Sequence, residues 1–164
     1  MVAKSSSALT VTLPSDREIQ MTRLFDAPRE LIFEAYTSCE HLARWWGPRK
    51  YELSSCKMDF RPGGKYRFVH SGPDGEEHGF RGEYREIVEP ERIVSTFEWE
   101  GLPGHISIDT LTLTEENGKT RYTIVSLFDS VEDRDGMLQS GMEGGANESM
   151  ERLDELLQQM KAQA

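Results

Sequence analysis

Between Tyr51 and Phe128 the chain reads as one strand after another, each closed by a short turn. Connections that short cannot carry a parallel crossover, which needs a dozen residues or more, so successive strands must pair antiparallel. Cys56, Met58 and Phe60 point one way while Lys57 and Asp59 point the other, the period of two expected of a half-buried strand. Turns follow at Pro62-Gly63-Gly64, Gly72-Pro73-Asp74-Gly75, Glu89-Pro90-Glu91 and Gly101-Leu102-Pro103-Gly104. Asn117-Gly118 is the strongest short-range hairpin signal, because both residues tolerate the left-handed backbone of a type I′ turn.

Helical patterns flank this run. Leu9 to Leu13 and Glu18 to Phe25 are extended, with Ile19 set against Met21 and Arg23. Asp26-Ala27-Pro28 starts a short helix that carries Leu31, Ile32, Ala35 and Tyr36 on one face. Ser38 caps a second helix through Glu40, Leu42 and Trp45, and Gly47-Pro48 stops it. Ser130 to Asp133 resembles a capping box and opens one long C-terminal helix. Leu138, Met142, Ala146, Met150, Leu153 and Leu157 form its apolar stripe. Gly141, Gly145 and Ser149 form a second stripe of small residues, read either as a close helix–sheet contact or as a notch facing a ligand. Helices at the two ends of a run of strands mark the α+β class. Residues 9–164 are expected to be one domain and residues 1–8 a loose tail.

The net charge of −10 argues against nucleic acid or anionic membrane as partners, both of which need a basic footprint. From Asp129 onward there are nine acidic and three basic side chains, read as a solvated helix face or as a dock for a basic partner. No apolar run is long enough to span a bilayer and no secretory signal opens the chain, so a cytoplasmic location is expected. Cys39 and Cys56 are read as two reduced thiols. His41, His70, His78 and His105 are scattered without metal-ligand spacing, and no nucleophile elbow or phosphate-cradling loop occurs. No catalytic residue, metal or cofactor is therefore assigned. His70 is read as an inward, neutral imidazole, and Asp109 as an exposed position at a strand bulge.

Several segments together resemble a known superfamily. These are Phe25 to Leu31, Glu40-His-Leu-Ala-Arg-Trp-Trp-Gly-Pro48, Met58-Asp-Phe-Arg-Pro-Gly-Gly64, Gly82 to Ile87 with Pro90 to Val94, and Gly141 to Gly145 with Glu148-Ser149 and Arg152 to Leu156. In order, and from about Leu9 to Gln159, they resemble the SRPBCC (START-like) proteins. More narrowly they are similar to relatives of the C-terminal domain of the activator of the 90-kDa heat-shock chaperone ATPase. The resemblance implies a helix-grip fold: two short helices after the first strand, then a curved antiparallel sheet wrapped around a long C-terminal helix. It also implies a space for apolar ligands between sheet and helix. Where part of the family has Trp, this chain has Ala146, which implies a larger cavity unless neighbours fill it.

Aromatic residues occupy alternate positions of successive strands: Tyr66 and Phe68, Phe80 and Tyr84, Phe97 and Trp99, then Tyr122. Most serve the core, and some are expected to line an apolar pocket with tyrosine hydroxyls fixing orientation. Of Trp45 and Trp46, one is expected beneath the sheet and the other, Trp46, at the cavity mouth. Met142, Gly145 and Ala146 would line the helix side. The leading expectation is non-enzymatic binding of a small hydrophobic or aromatic ligand. A chaperone-linked accessory domain and a cofactor-free cyclase or lyase are the alternatives.

Overall fold

In a computed structural model, which describes residues 9–163, eight strands form one antiparallel curved sheet in the order β1-β2-β8-β7-β6-β5-β4-β3. The strands are β1 (Thr10–Thr12), β2 (Glu18–Phe25), β3 (Glu52–Met58), β4 (Lys65–Ser71), β5 (Glu77–Val88), β6 (Arg92–Trp99), β7 (Ile106–Glu116) and β8 (Lys119–Leu127). From β3 to β8 each strand pairs with its successor in the chain, as short turns require. Asn117 and Gly118 take φ of 53° and 82°, the left-handed pair that closes the β7–β8 hairpin. The tail expected over residues 1–8 lies outside the described residues.

Helices α1 (Arg29–Ala35) and α2 (Cys39–Trp45) follow β2, so two strands and not one precede them. The Ser38 hydroxyl accepts from the His41 amide at 3.2 Å, the N-cap expected of α2. On α1 the buried face is Ile32, Phe33 and Ala35; Phe33 was not in the expected stripe, and it meets Phe60 edge to face at 5.8 Å. β2 also differs from its reading: Ile19, Arg23 and Phe25 are buried together on one face. Arg23 pairs with Asp154 at 3.8 Å and lies 4.7 Å from the Phe25 ring centroid, so its charge is held beneath the C-terminal helix.

The single long helix expected after Ser130 is two helices, α3 (Val131–Gln139) and α4 (Met142–Gln163). The apolar periodicity continues across Gly141, but its φ of +83° is a left-handed value that no α-helix accommodates. Ser130 does cap α3, accepting from the Asp133 amide at 3.0 Å. Met150, Leu153, Leu156, Leu157 and Met160 bury the face of α4, whereas Leu138 and Met142 are only half-buried. With Ile32, Trp45, Tyr66, Tyr84, Leu111 and Tyr122 they form one core. At roughly 1.5–3 kcal/mol per large side chain removed from water, the α4 face supplies a substantial part of the folding energy.

Cys39 and Cys56 form a disulfide, with Cα atoms 5.8 Å apart, which corrects the reading of two free thiols. The chain turns back after α2, so that Cys39 at the first position of α2 lies over Cys56 in edge strand β3. Among the described residues, no helix is long and apolar enough to cross a membrane.

Candidate functional site

The clasp between α2 and α4 comes from residues that the sequence shows only as motif letters. Gly47 adopts φ of +92°, and a Cβ there would stand 2.3 Å from the His70 ring, so only glycine fits. The Ser149 hydroxyl accepts from the Gly47 amide and donates to the Trp45 carbonyl, both at 3.0 Å. Arg152 donates to the Gly47 carbonyl at 2.9 Å. Gly145 meets Pro48, whose Cγ would lie 3.2 Å from an added Cβ. Of the small-residue stripe, Gly145 and Ser149 thus make a close contact with the end of α2 and the loop after it, not with the sheet. Gly141, in the break before α4, has nothing within 4 Å of an added Cβ, and Gly145 also borders open space.

That space is a cavity of about 400 Å³ between the sheet, α2 and the α3–α4 pair. It brings together Trp46, Tyr66, Phe68, Phe80, Tyr84, Phe97 and Tyr122 from the strand and helix sides with Met142, Gly145 and Ala146 below. Trp46, Phe80 and Phe97 are only half-buried although they face inward, because the cavity leaves part of each ring uncovered. Trp46 packs on Phe68 at 5.0 Å, Phe80 at 5.3 Å and His70 at 4.5 Å. Trp45 lies beneath, its indole N–H donating to the Ala35 carbonyl at 3.0 Å. Trp99 does not join the lining. It has the strand parity of Phe97, but the chain turns at Gly101 and the indole folds over that glycine, 41% exposed.

The polar groups are few and distinct. The Tyr66 hydroxyl donates to the Thr96 carbonyl at 2.6 Å, and the hydroxyls of Tyr36 and Tyr122 hydrogen-bond to each other. Burial pushes all of these phenols up, Tyr122 to about 12, so they stay neutral donors at ordinary pH. His70 is buried with no partner on Nε2, and desolvation pushes it down to about 4. It is therefore a neutral imidazole, as read from the sequence.

Asp109 corrects the sequence reading. It sits at no bulge: its register is continuous with Ser95 on β6 and Ser126 on β8. Its parity is that of Ser107 and Leu111, which also line the cavity, so the carboxyl points inward. It is half-buried and lines the cavity. Desolvation raises it from 3.8 to about 6, opposed by the hydroxyls of Ser126 and Ser107.

No curated protein matches this chain. A crystal structure from Rhodobacter sphaeroides superposes with a TM-score of 0.86 at 25% identity, covering 92% of this chain and 97% of that one. One from Mycobacterium smegmatis gives 0.81 at 29% identity, covering 91% and 96%. The crystal structure of the AHSA1 protein from Silicibacter pomeroyi gives 0.72 at 21% identity, covering 87% and 99%, a likeness of fold alone. These likenesses, with the eight-stranded sheet closed by α4, are those of the SRPBCC-type helix-grip fold. Residues 26–158 match the family described as Activator of Hsp90 ATPase homolog 1-like protein, and the chain belongs to that family.

Proposed function

We propose that the protein is a non-enzymatic binding module that takes a small hydrophobic or aromatic ligand into the cavity between sheet and α4. The observation that carries this reading is the roughly 400 Å³ of space lined mostly by aromatic and aliphatic side chains. A space of that size suits a small molecule, since ligand pockets run from about 300 to 1,000 Å³ and orient their ligands with a few polar groups. Half-covered Trp46, Phe80 and Phe97 are surfaces that such a ligand would finish burying. The cytoplasmic location read from the sequence is carried here only as part of this proposal, and the Cys39–Cys56 bond weighs against it, because disulfides persist in oxidising compartments and are rare in the cytoplasm.

Ala146→Trp tests the reading, because an indole projected from α4 occupies the space that the ligand needs. The parent should bind the neutral dye N-phenylnaphthylamine with a saturable rise in fluorescence. The variant should keep the parent's far-ultraviolet circular dichroism and lose the binding. Unchanged dye affinity in the folded variant would overturn the proposal.

Family membership favours one second reading, an accessory domain for the 90-kDa chaperone. Its contact would use the acidic α4 face, but the Arg49 guanidinium already pairs there with Glu155 at 2.6 Å and Glu151 at 4.0 Å, so that face is partly neutralised. Stimulation of the chaperone's ATPase that weakens as salt rises would support it. We expect none.

A further inference from the structure

Among the described residues, Asp109 is the only carboxylate in the cavity lining, and no Lys or Arg joins it there. An ionised carboxylate away from water needs a counter-charge, and proteins ordinarily supply one. Here the neighbouring elements supply none. Its own strand offers Ser107 at 3.3 Å, β8 offers Ser126 and Tyr122, and β6 offers Ser95. Tyr66 comes from β4, Tyr84 from β5 and Tyr36 from the end of α1. The helix side gives Met137, Met142 and Met150. His70, the remaining titratable group of the lining, is neutral. The hydroxyls of Tyr66, Tyr36 and Tyr122 are engaged elsewhere.

We infer that the ligand of this cavity carries a protonated amine on an apolar or aromatic body, and that the Asp109 carboxylate anchors the ammonium group. The inference rests on the cavity's being a ligand site and names the chemical class that it takes. An ionised carboxyl has about four acceptor positions, and the two serines satisfy only part of them. An ammonium supplies three donors and the missing charge in a single group. Tyrosine rings line the same space, with Tyr66 and Tyr84 centroids 5.3 Å apart, and their faces attract cations. The apolar remainder of the ligand lies toward Trp46, Phe80 and Phe97. At neutral pH Asp109, raised to about 6, is mostly ionised, so the anchor is charged when the amine arrives.

Three probes of one shape separate charge from burial: naphthylmethylamine, its neutral isostere ethylnaphthalene and the anion naphthylacetate. Each is titrated into the full chain, followed by quenching of the cavity tryptophans. At about pH 7.5 the parent should bind the amine roughly tenfold or more tighter than the isostere, the range of a charged hydrogen bond, and the anion weakest. The preference should shrink at about pH 5, where Asp109 protonates, and this arm needs no variant. In Asp109→Asn the preference should vanish while ethylnaphthalene affinity is retained. Equal binding of amine and isostere by the parent, or a preference that survives in Asp109→Asn, would overturn the inference and leave the cavity reading standing. Failure of all three probes would overturn both.

Discussion

Replacing Asp109 by Asn should make the protein more stable, and only at pH values where the aspartate is charged. Burial raises this carboxyl from 3.8 to about 6, so the folded state holds the proton more tightly than the unfolded chain does. Stability is then fully present below about pH 4 and is lost as pH rises through about 6. Converted at 1.36 kcal/mol per pH unit, the rise is worth at most about 3 kcal/mol at neutral pH, less to the extent that water enters the cavity. Asparagine keeps the shape and the acceptor for Ser107 without the charge. Urea melts of parent and variant from about pH 3.5 to 7.5 measure the difference, which should start near zero and grow to that figure. In a chain of this size the neutral-pH gain corresponds to a rise in Tm of roughly 6–12 °C. His70 acts in the opposite sense: held down to about 4, it costs stability as pH falls below 6.5. It is present in both proteins, so the difference between them isolates Asp109. A variant that is no more stable at neutral pH, or whose difference does not change with pH, would refute the reasoning.

Leu153 is fully buried, so Leu153→Asp forfeits roughly 1.5–3 kcal/mol of burial and adds an unpaired carboxylate, and thermal melts should lose cooperativity. Glu151→Ala on the exposed face of α4 should change stability by no more than about 0.5 kcal/mol; a cost as large as that of Leu153→Asp would mean the helix face is misassigned. The Cys39–Cys56 bond closes a loop with a sequence separation of 17, so replacing both by Ser should lower stability by about 3 kcal/mol. Reduction of the parent should do the same, and melts indifferent to reductant would contradict the bond.

Where local chemistry decides, the sequence is readable. Period-two alternation placed Tyr66, Phe68 and His70 inward, and all three are buried. Ser38 and Ser130 mark helix starts because a cap needs only its own hydroxyl and an amide a turn ahead. The differences arise where distant residues decide. Steps of three and four carried the C-terminal stripe through Gly141, since side-chain periodicity does not register a positive φ. The disulfide depends on α2 folding over edge strand β3, which nothing near either cysteine encodes. Asp109 shares the parity of Ser107 and Leu111, and that alternation was the signal that could have turned it inward. Trp99 shares the parity of Phe97 but stands at the last position of β6, where the following turn and not the sheet sets its direction.

The central claim is that the space beneath the sheet is a ligand site and not a gap in packing. A titration of the nitrogen-15-labelled protein with naphthylmethylamine, followed by amide and indole resonances, tests it most directly. Saturable shifts should gather at Trp46, Phe80, Phe97, Asp109, Gly145 and Ala146, with the convex-face residues Arg67 and Glu77 unmoved. Shifts that fail to saturate, or that spread over the surface and spare the Trp46 indole, would contradict the account.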